Sequence, residues 1–114
     1  MDPDLDGYVA AHRARDERAR VARHAEAWRV ARLAADVLRS DLGATRVLVF
    51  GSVVRGTMHE SSDIDLAVEG LDPCRYFDAL ARVQGLGPFE VQLAPLEHCL
   101  PHIREAALRE GVEP

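Results

Sequence analysis

The sequence contains no lysine: all 14 of its basic residues are arginine. Schiff-base chemistry and a P-loop lysine are thereby excluded, because both need an amine on a flexible stem at one fixed place. Cysteine is nearly as scarce. Cys74 and Cys99 show neither a CxxC pair nor a disulfide-framework spacing, and they read as two buried thiols in a reducing compartment. Five histidines, His12, His24, His59, His98 and His102, lack the HExxH or Cys/His spacing of a zinc site. No apolar run approaches the roughly 18 residues needed to span a bilayer, so no membrane association is expected. The start Met-Asp-Pro-Asp is acidic where a secretory signal would be basic and then apolar, which points to a cytoplasmic protein. Internal repeats and low-complexity linkers are also missing.

What remains suits one globular domain. At 114 residues and 47% hydrophobic content the chain is long and apolar enough to bury its own core. A single domain over residues 1–114 is expected, with a helical segment at 1–42 and a core at 43–114. The net charge of −5 is unevenly spread: residues 1–45 carry eight Arg against eight acids, residues 46–114 six Arg against eleven. That acidic second half argues against nucleic acid as a direct ligand, since phosphate neutralisation needs surplus cation. It is compatible with a site that collects divalent metal.

Residues 8–42, rich in Ala and Arg, predict a helix with Asp6 as N-cap and Gly43 as stop. Ala25, Trp28, Ala35, Leu38 and Leu42 recur at helical spacing, widened by Val30, Leu33 and Val37. A helix of about 50 Å outruns a small domain, so either a break or a projecting first half that leans on a partner is expected. Asp16, Glu17 and Glu26 interleave with the arginines as i, i+3 or i, i+4 partners, which makes that face a solvated one. Val47–Phe50 reads as a buried strand ending at Gly51. Asp63–Val68 alternates as a half-buried strand with Asp63 and Asp65 on its polar face. Asp72 and Pro73 supply N-cap and N1 for a helix to Gln84. A third strand is expected at Phe89–Leu93, and a last helix from Pro101 to Glu110. Helix, strand–helix units and a final helix describe a compact α/β (α+β) domain.

Residues 50–66 carry the chemistry. Gly51 lets the backbone turn sharply at the strand end and approach a ligand closely. Ser52 adds a hydroxyl and an N–H for a phosphate oxygen, at the start of a short helix. Arg55, one turn on, can fork onto phosphate. Asp63 and Asp65 sit i, i+2 on one strand face, about 6.5 Å apart by strand rise. Two carboxylates that close repel, and a Mg²⁺ shared with substrate phosphates relieves the repulsion. Gly-Ser turns and Ser-Ser-Asp strand starts are each common, but their joint spacing is far less so.

The segment GSVVRGTMHESSDIDLAVEG resembles the signature of the DNA polymerase beta-type nucleotidyltransferase superfamily, in its minimal branch. The resemblance covers about residues 30–112 and includes the closing PLEHCLPHIREAALREGV. It implies a nucleotidyltransferase fold, a small mixed β-sheet flanked by helices, with a long N-terminal helix added here. It also implies ATP or another NTP as substrate and two Mg²⁺ ions, with Gly51 and Ser52 on the triphosphate and Asp63 and Asp65 on the metals. Similar minimal nucleotidyltransferases pair with a HEPN-type RNase toxin, act as its antitoxin, and in some cases transfer AMP to a toxin tyrosine. A protein partner is therefore expected, with an oligomer through the N-terminal helix as a further expectation.

One position departs from the pattern. The superfamily carries a third carboxylate on a later strand reading F-x-V-D-L, and Phe89-Glu90-Val91-Gln92-Leu93 places Gln92 there. A glutamine has a carbonyl oxygen but neither charge nor basicity. Glu90, one pleat step away, is the candidate to compensate. Without compensation the domain binds Mg–NTP and neutralises its partner by complex formation alone.

Overall fold

The computed structural model describes residues 3–59 and 62–114. Helix α1 spans Pro3–Ser40, strand β1 Arg46–Phe50, the one-turn helix α2 Ser52–Arg55 and strand β2 Ile64–Glu69. A 3-10 turn at Pro73–Arg75 leads into α3, Tyr76–Gln84, followed by β3, Val91–Pro95, and α4, Pro101–Glu110. The three strands lie in the order β1-β2-β3, with β1 antiparallel and β3 parallel to β2. The parallel pair requires a crossover, which α3 supplies. After α4 the chain joins the outer edge of β1, where Val112 and Val49 exchange both backbone hydrogen bonds, at 2.8 and 2.9 Å. The nucleotidyltransferase-like mixed α+β architecture and the long N-terminal helix are as expected.

Alternation along the strands sorts side chains onto two faces. Val47, Val49, Ile64, Leu66, Val68, Val91 and Leu93 pack under α1 and α3 with Val30, Leu38 and Val83. Leu48, Phe50 and Ala67 face the other way, onto Ala107 of α4 and Leu96. The sheet is thus a middle layer, and Asp65 and Gln92 stand on the α4 side.

Helix α1 is unbroken over 38 residues, about 57 Å at 1.5 Å per residue. Its second half is the core element, burying Ala27, Val30, Ala31, Ala34, Ala35 and Leu38. The face is rotated from the expected stripe: Ala25 and Leu33 are exposed, because the small residues Ala27, Ala31 and Ala34 let the sheet approach more closely. The first half projects, with Leu5, Tyr8 and Val21 more than half exposed; the expected short-range pairs form along the solvent face of the helix, Arg20–Glu17 in the first half and Arg29–Glu26 in the second. Asp6 is not the N-cap; Pro3 already lies in the helix, with its φ set for a first turn. Gly43, at φ +77°, ends the helix region as anticipated.

Three further boundaries moved. Asp72 caps the 3-10 turn, accepting from Cys74 N at 2.9 Å, and α3 starts only at Tyr76. Strand β2 begins at Ile64, one residue after Asp63. Strand β3 begins at Val91 and runs through Pro95, two residues later than the alternation suggested. Its pairing with β2 tolerates Pro95 at the strand's end, where no proline N–H is needed. Cys74 is exposed and Cys99 partly so, contrary to the expectation of two buried thiols.

The outer edge of β3 is closed by side chains. The Gln84 carbonyl accepts from Val91 N at 2.9 Å while its amide donates to Val91 O, and the Tyr76 hydroxyl donates to Leu93 O at 2.8 Å. Helix α3 therefore fixes the backbone on both sides of Gln92, and blunts an edge that could template another strand.

Candidate active site

The register places Phe50, Asp65 and Gln92 side by side across the three strands. Asp65 is on the central strand, so its carboxylate stands between the turn that follows β1 and the side chain carried by β3. Asp63 sits at the mouth of β2 on the same side, and its Oδ2 accepts a long hydrogen bond from Gln92 Nε2 at 3.4 Å. The two acids predicted from their spacing are thus brought together with the glutamine predicted to face them.

The turn after β1 explains Gly51. Its φ of 76° and ψ of −146° belong to a region open essentially to glycine alone. A Cβ built there would lie 2.3 Å from Asp65 Oδ2. The backbone at Gly51 is therefore in contact with the Asp65 carboxylate, with no room for a side chain. Ser52 follows as the first residue of α2. His24 of α1 holds α2 in place from behind: its Nε2–H donates to Val53 O at 2.6 Å, which fixes the ring tautomer.

Arg55 does not project freely from α2. Its Nη1 donates to Glu110 Oε1 at 3.1 Å, and the same Oε1 accepts from Gly51 N at 3.1 Å. Glu110 is the last residue of α4 and was not singled out by the motif. A signal for it existed: a glutamate at a helix C-terminus opposes the helix dipole and so requires another partner.

Burial is the main reason that the Asp65 carboxyl is held above its ordinary value; Asp63 raises it further, Arg55 opposes, and Glu110 adds to the rise. A half-buried acid beside a second one is a site that gains from a cation. Among the described residues no group of three or more His, Cys, Asp and Glu side chains could hold a metal. A cation placed here would have Asp63 and Asp65 as its carboxylate ligands and would need other oxygens, such as those of a phosphate chain, to complete its shell.

Glu90 precedes β3, and its backbone carbonyl accepts from Ile64 N at 2.9 Å. Its side chain is exposed and makes no hydrogen bond or ion pair among the described residues. It is not on the strand with Gln92, as the expected boundary had placed it. On the β3 side of Asp65 lies a cavity of about 450 Å³, lined by Phe50, Asp65, Gln92, Cys99, Leu100 and Ile103 among others.

Comparisons with known proteins bear on the family and the fold. The sequence model of the nucleotidyltransferase domain family matches residues 31–111. A solved structure described as a minimal nucleotidyltransferase is 35% identical, with a TM-score of 0.64, over 78% of this chain and 94% of its own. Two toxin–antitoxin structures share the fold. One, with AMP-PNP, is 24% identical with a TM-score of 0.61; the other, a mutant form of MntA–HpeT, is 22% identical with a TM-score of 0.60. Each of these matches covers 68% of this chain and 66% of that one. No curated protein matches the sequence. The chain belongs to the nucleotidyltransferase domain family, whose members generally use an NTP and Mg²⁺. Among the described residues no helix is long and apolar enough to cross a membrane.

Proposed function

We propose that the chain binds Mg–ATP or another Mg–NTP and transfers the nucleoside monophosphate to a hydroxyl, a tyrosine in the first instance, of a HEPN-type toxin whose antitoxin it is. The observation that carries the reading is the contact of the Gly51 backbone with the Asp65 carboxylate. It sets a turn rich in N–H donors directly against a pair of acids. Gly51, Ser52 and Arg55 take the triphosphate, and Asp63 and Asp65 hold the metal. Bound Mg²⁺ would neutralise the triphosphate and polarise the reacting phosphoryl group.

The acceptor oxygen attacks the α-phosphorus, the bond from that phosphorus to the oxygen bridging toward the β-phosphate breaks, and pyrophosphate leaves. In-line displacement puts the incoming hydroxyl opposite the leaving group. With pyrophosphate on the β1 side, at Gly51 and Ser52, the acceptor approaches from the β3 side, where the 450 Å³ cavity adjoins Asp65 and Gln92. Its apolar wall of Phe50, Leu100 and Ile103 suits an aromatic side chain such as tyrosine. The acceptor's proton passes to solvent, since Gln92 has no basicity. The partner is drawn from the resemblance of residues 51–70 to antitoxin-type nucleotidyltransferases. The projecting half of α1, with exposed Leu5, Tyr8, Val9 and Val21, is a surface available for it. The chain acts as one domain, the projecting half of α1 offering the partner contact while its buried second half and residues 43–114 form the core that carries the chemistry.

The test is transfer of label from α-labelled ATP to the purified cognate partner in the presence of Mg²⁺, abolished by Asp63→Ala/Asp65→Ala. Absence of label with the wild-type chain refutes transfer. A second reading has its own support in the pairing of Gln92 with Asp65 and its amide hydrogen bond to Asp63. On that reading the site binds Mg–NTP without turnover, and the chain neutralises its partner by occlusion. The Gln92→Asp substitution separates the two, because activity gained only in that variant identifies the native site as impaired.

A further inference from the structure

Gly51 N–H and the Arg55 guanidinium are the donors that the proposed function assigns to nucleotide phosphates, and both are engaged by one carboxylate. Glu110 Oε1 lies 3.1 Å from each, and Oε2 lies 3.4 Å from Arg55 Nη1. The Glu110 side chain is only 18% exposed, so its oxygens are satisfied largely by these partners rather than by water. A carboxylate presents two acceptor oxygens and a negative charge, as one edge of a phosphoryl group does. The single N–H of Gly51 cannot serve both at full strength.

Resting on that reading of the site, we infer that Glu110 is an internal occupant of the phosphate position, and that a triphosphate binds by displacing it. The displacement is a side-chain rotation, because the backbone around Glu110 is pinned. Gly111 N donates to Ala107 O at 2.9 Å, and Val112 is tied to Val49 in both directions. A Cβ at Gly111 would lie 2.1 Å from Ala107 O, so the helix end is closely wound where it leaves Glu110. Arg55, with its side chain 55% exposed, has room to follow the incoming phosphate. The consequence is that Glu110 lowers nucleotide affinity while holding the turn and Arg55 ordered when no nucleotide is present. It also discriminates by charge, since only a ligand more anionic than a carboxylate competes well for the same donors.

The full-length wild-type chain and Glu110→Gln are titrated calorimetrically with Mg–ATP and, separately, with inorganic tripolyphosphate. Glutamine keeps the shape and an acceptor oxygen but not the charge. The charge-assisted bonds it replaces are about twice as strong as neutral ones, so both ligands are expected to bind roughly 5–10-fold tighter to the variant. The ligand-free variant is expected to melt at a lower temperature. Glu110→Asp, one methylene too short to reach both donors, serves if Glu110→Gln does not fold, and the same tightening is expected. Equal or weaker binding by the variant overturns the inference and makes Glu110 a residue that positions Arg55. Absence of binding by wild type and variant alike overturns the nucleotide reading itself, and this inference with it.

Discussion

Gly51→Ala isolates the contact on which the site is built. The backbone at φ 76°, ψ −146° costs a non-glycine residue about 1–3 kcal/mol. The new Cβ would lie 2.3 Å from Asp65 Oδ2, so the carboxylate must leave its rotamer, at about 0.5–1.5 kcal/mol. The total is roughly 2–4 kcal/mol. A chain of this length has about 6–17 kcal/mol of stability, so the variant folds. At about 4 °C per kcal/mol its Tm is expected to fall by roughly 8–16 °C. The two contributions separate in a double-mutant cycle with Asp65→Ala, which removes the clashing oxygen and leaves the backbone cost in place. Gly51→Ala should then be less damaging in the Asp65→Ala background than in wild type, by about 0.5–1.5 kcal/mol. Thermal or urea denaturation of the four proteins supplies the numbers. Strict additivity would show that Gly51 and Asp65 do not touch, and the steric account of the site would be wrong.

Two other substitutions and a truncation follow from the structure. Burial and Asp63 raise the Asp65 carboxyl, so the folded chain binds that proton more tightly than the unfolded one. Stability is consequently lost as pH rises from the ordinary aspartate range through the raised value. Asp65→Asn should therefore raise the metal-free Tm at neutral pH, by an amount that partial solvent screening keeps small. In acid, where both side chains are neutral, melting curves should coincide; a gain that persists there would assign the effect to packing. Tyr76→Phe removes the 2.8 Å hydrogen bond to Leu93 O and should cost about 1 kcal/mol, or about 4 °C in Tm, with an unchanged Tm showing that this edge of β3 needs no cap. Truncating the chain before Arg15 takes away the exposed helix of residues 5–14 and should move Tm by no more than about 2 °C; a larger fall would mean that the projecting half supports the core.

The turn and the acids were legible in the sequence because their chemistry is local. A strand run ending in Gly-Ser, and an alternating segment with two aspartates on its polar face, announce themselves within a few residues. The resemblance to the superfamily pattern F-x-V-D-L singled out Gln92, which the register sets beside Asp65 even though the strand boundary shifts. What escaped was non-local. The start of β3 is decided by Gln84, whose side chain closes onto Val91 from the end of α3, and periodicity within residues 89–93 cannot register that. The buried face of α1 is chosen by how closely the sheet packs, which favours Ala27, Ala31 and Ala34 over the bulkier Leu33. Glu110 lies 59 residues from Gly51, and its role depends on α4 crossing the sheet to end beside the turn.

Charge balance ties these features together. Around the turn, Asp63, Asp65 and Glu110 face the Arg55 guanidinium, and Arg55 is already hydrogen-bonded to Glu110. Without a ligand the arrangement tolerates this excess in two ways. Glu110 is satisfied by Gly51 and Arg55, and the Gln92 amide donates to Asp63. An aspartate in place of Gln92 would remove a donor and add a fourth acid, deepening the repulsion that already raises Asp65. The Gln92 amide thus steadies the ligand-free site, where a carboxylate would, on the proposed reading, offer a metal ligand and a base. On that reading, nucleotide and cation would resolve the excess only together: phosphate would displace Glu110 from its donors, and the metal would neutralise Asp63 and Asp65 against the phosphate charge. On the same reading, binding of Mg–NTP draws on residues that are all present, whereas turnover would depend on the position that Gln92 occupies.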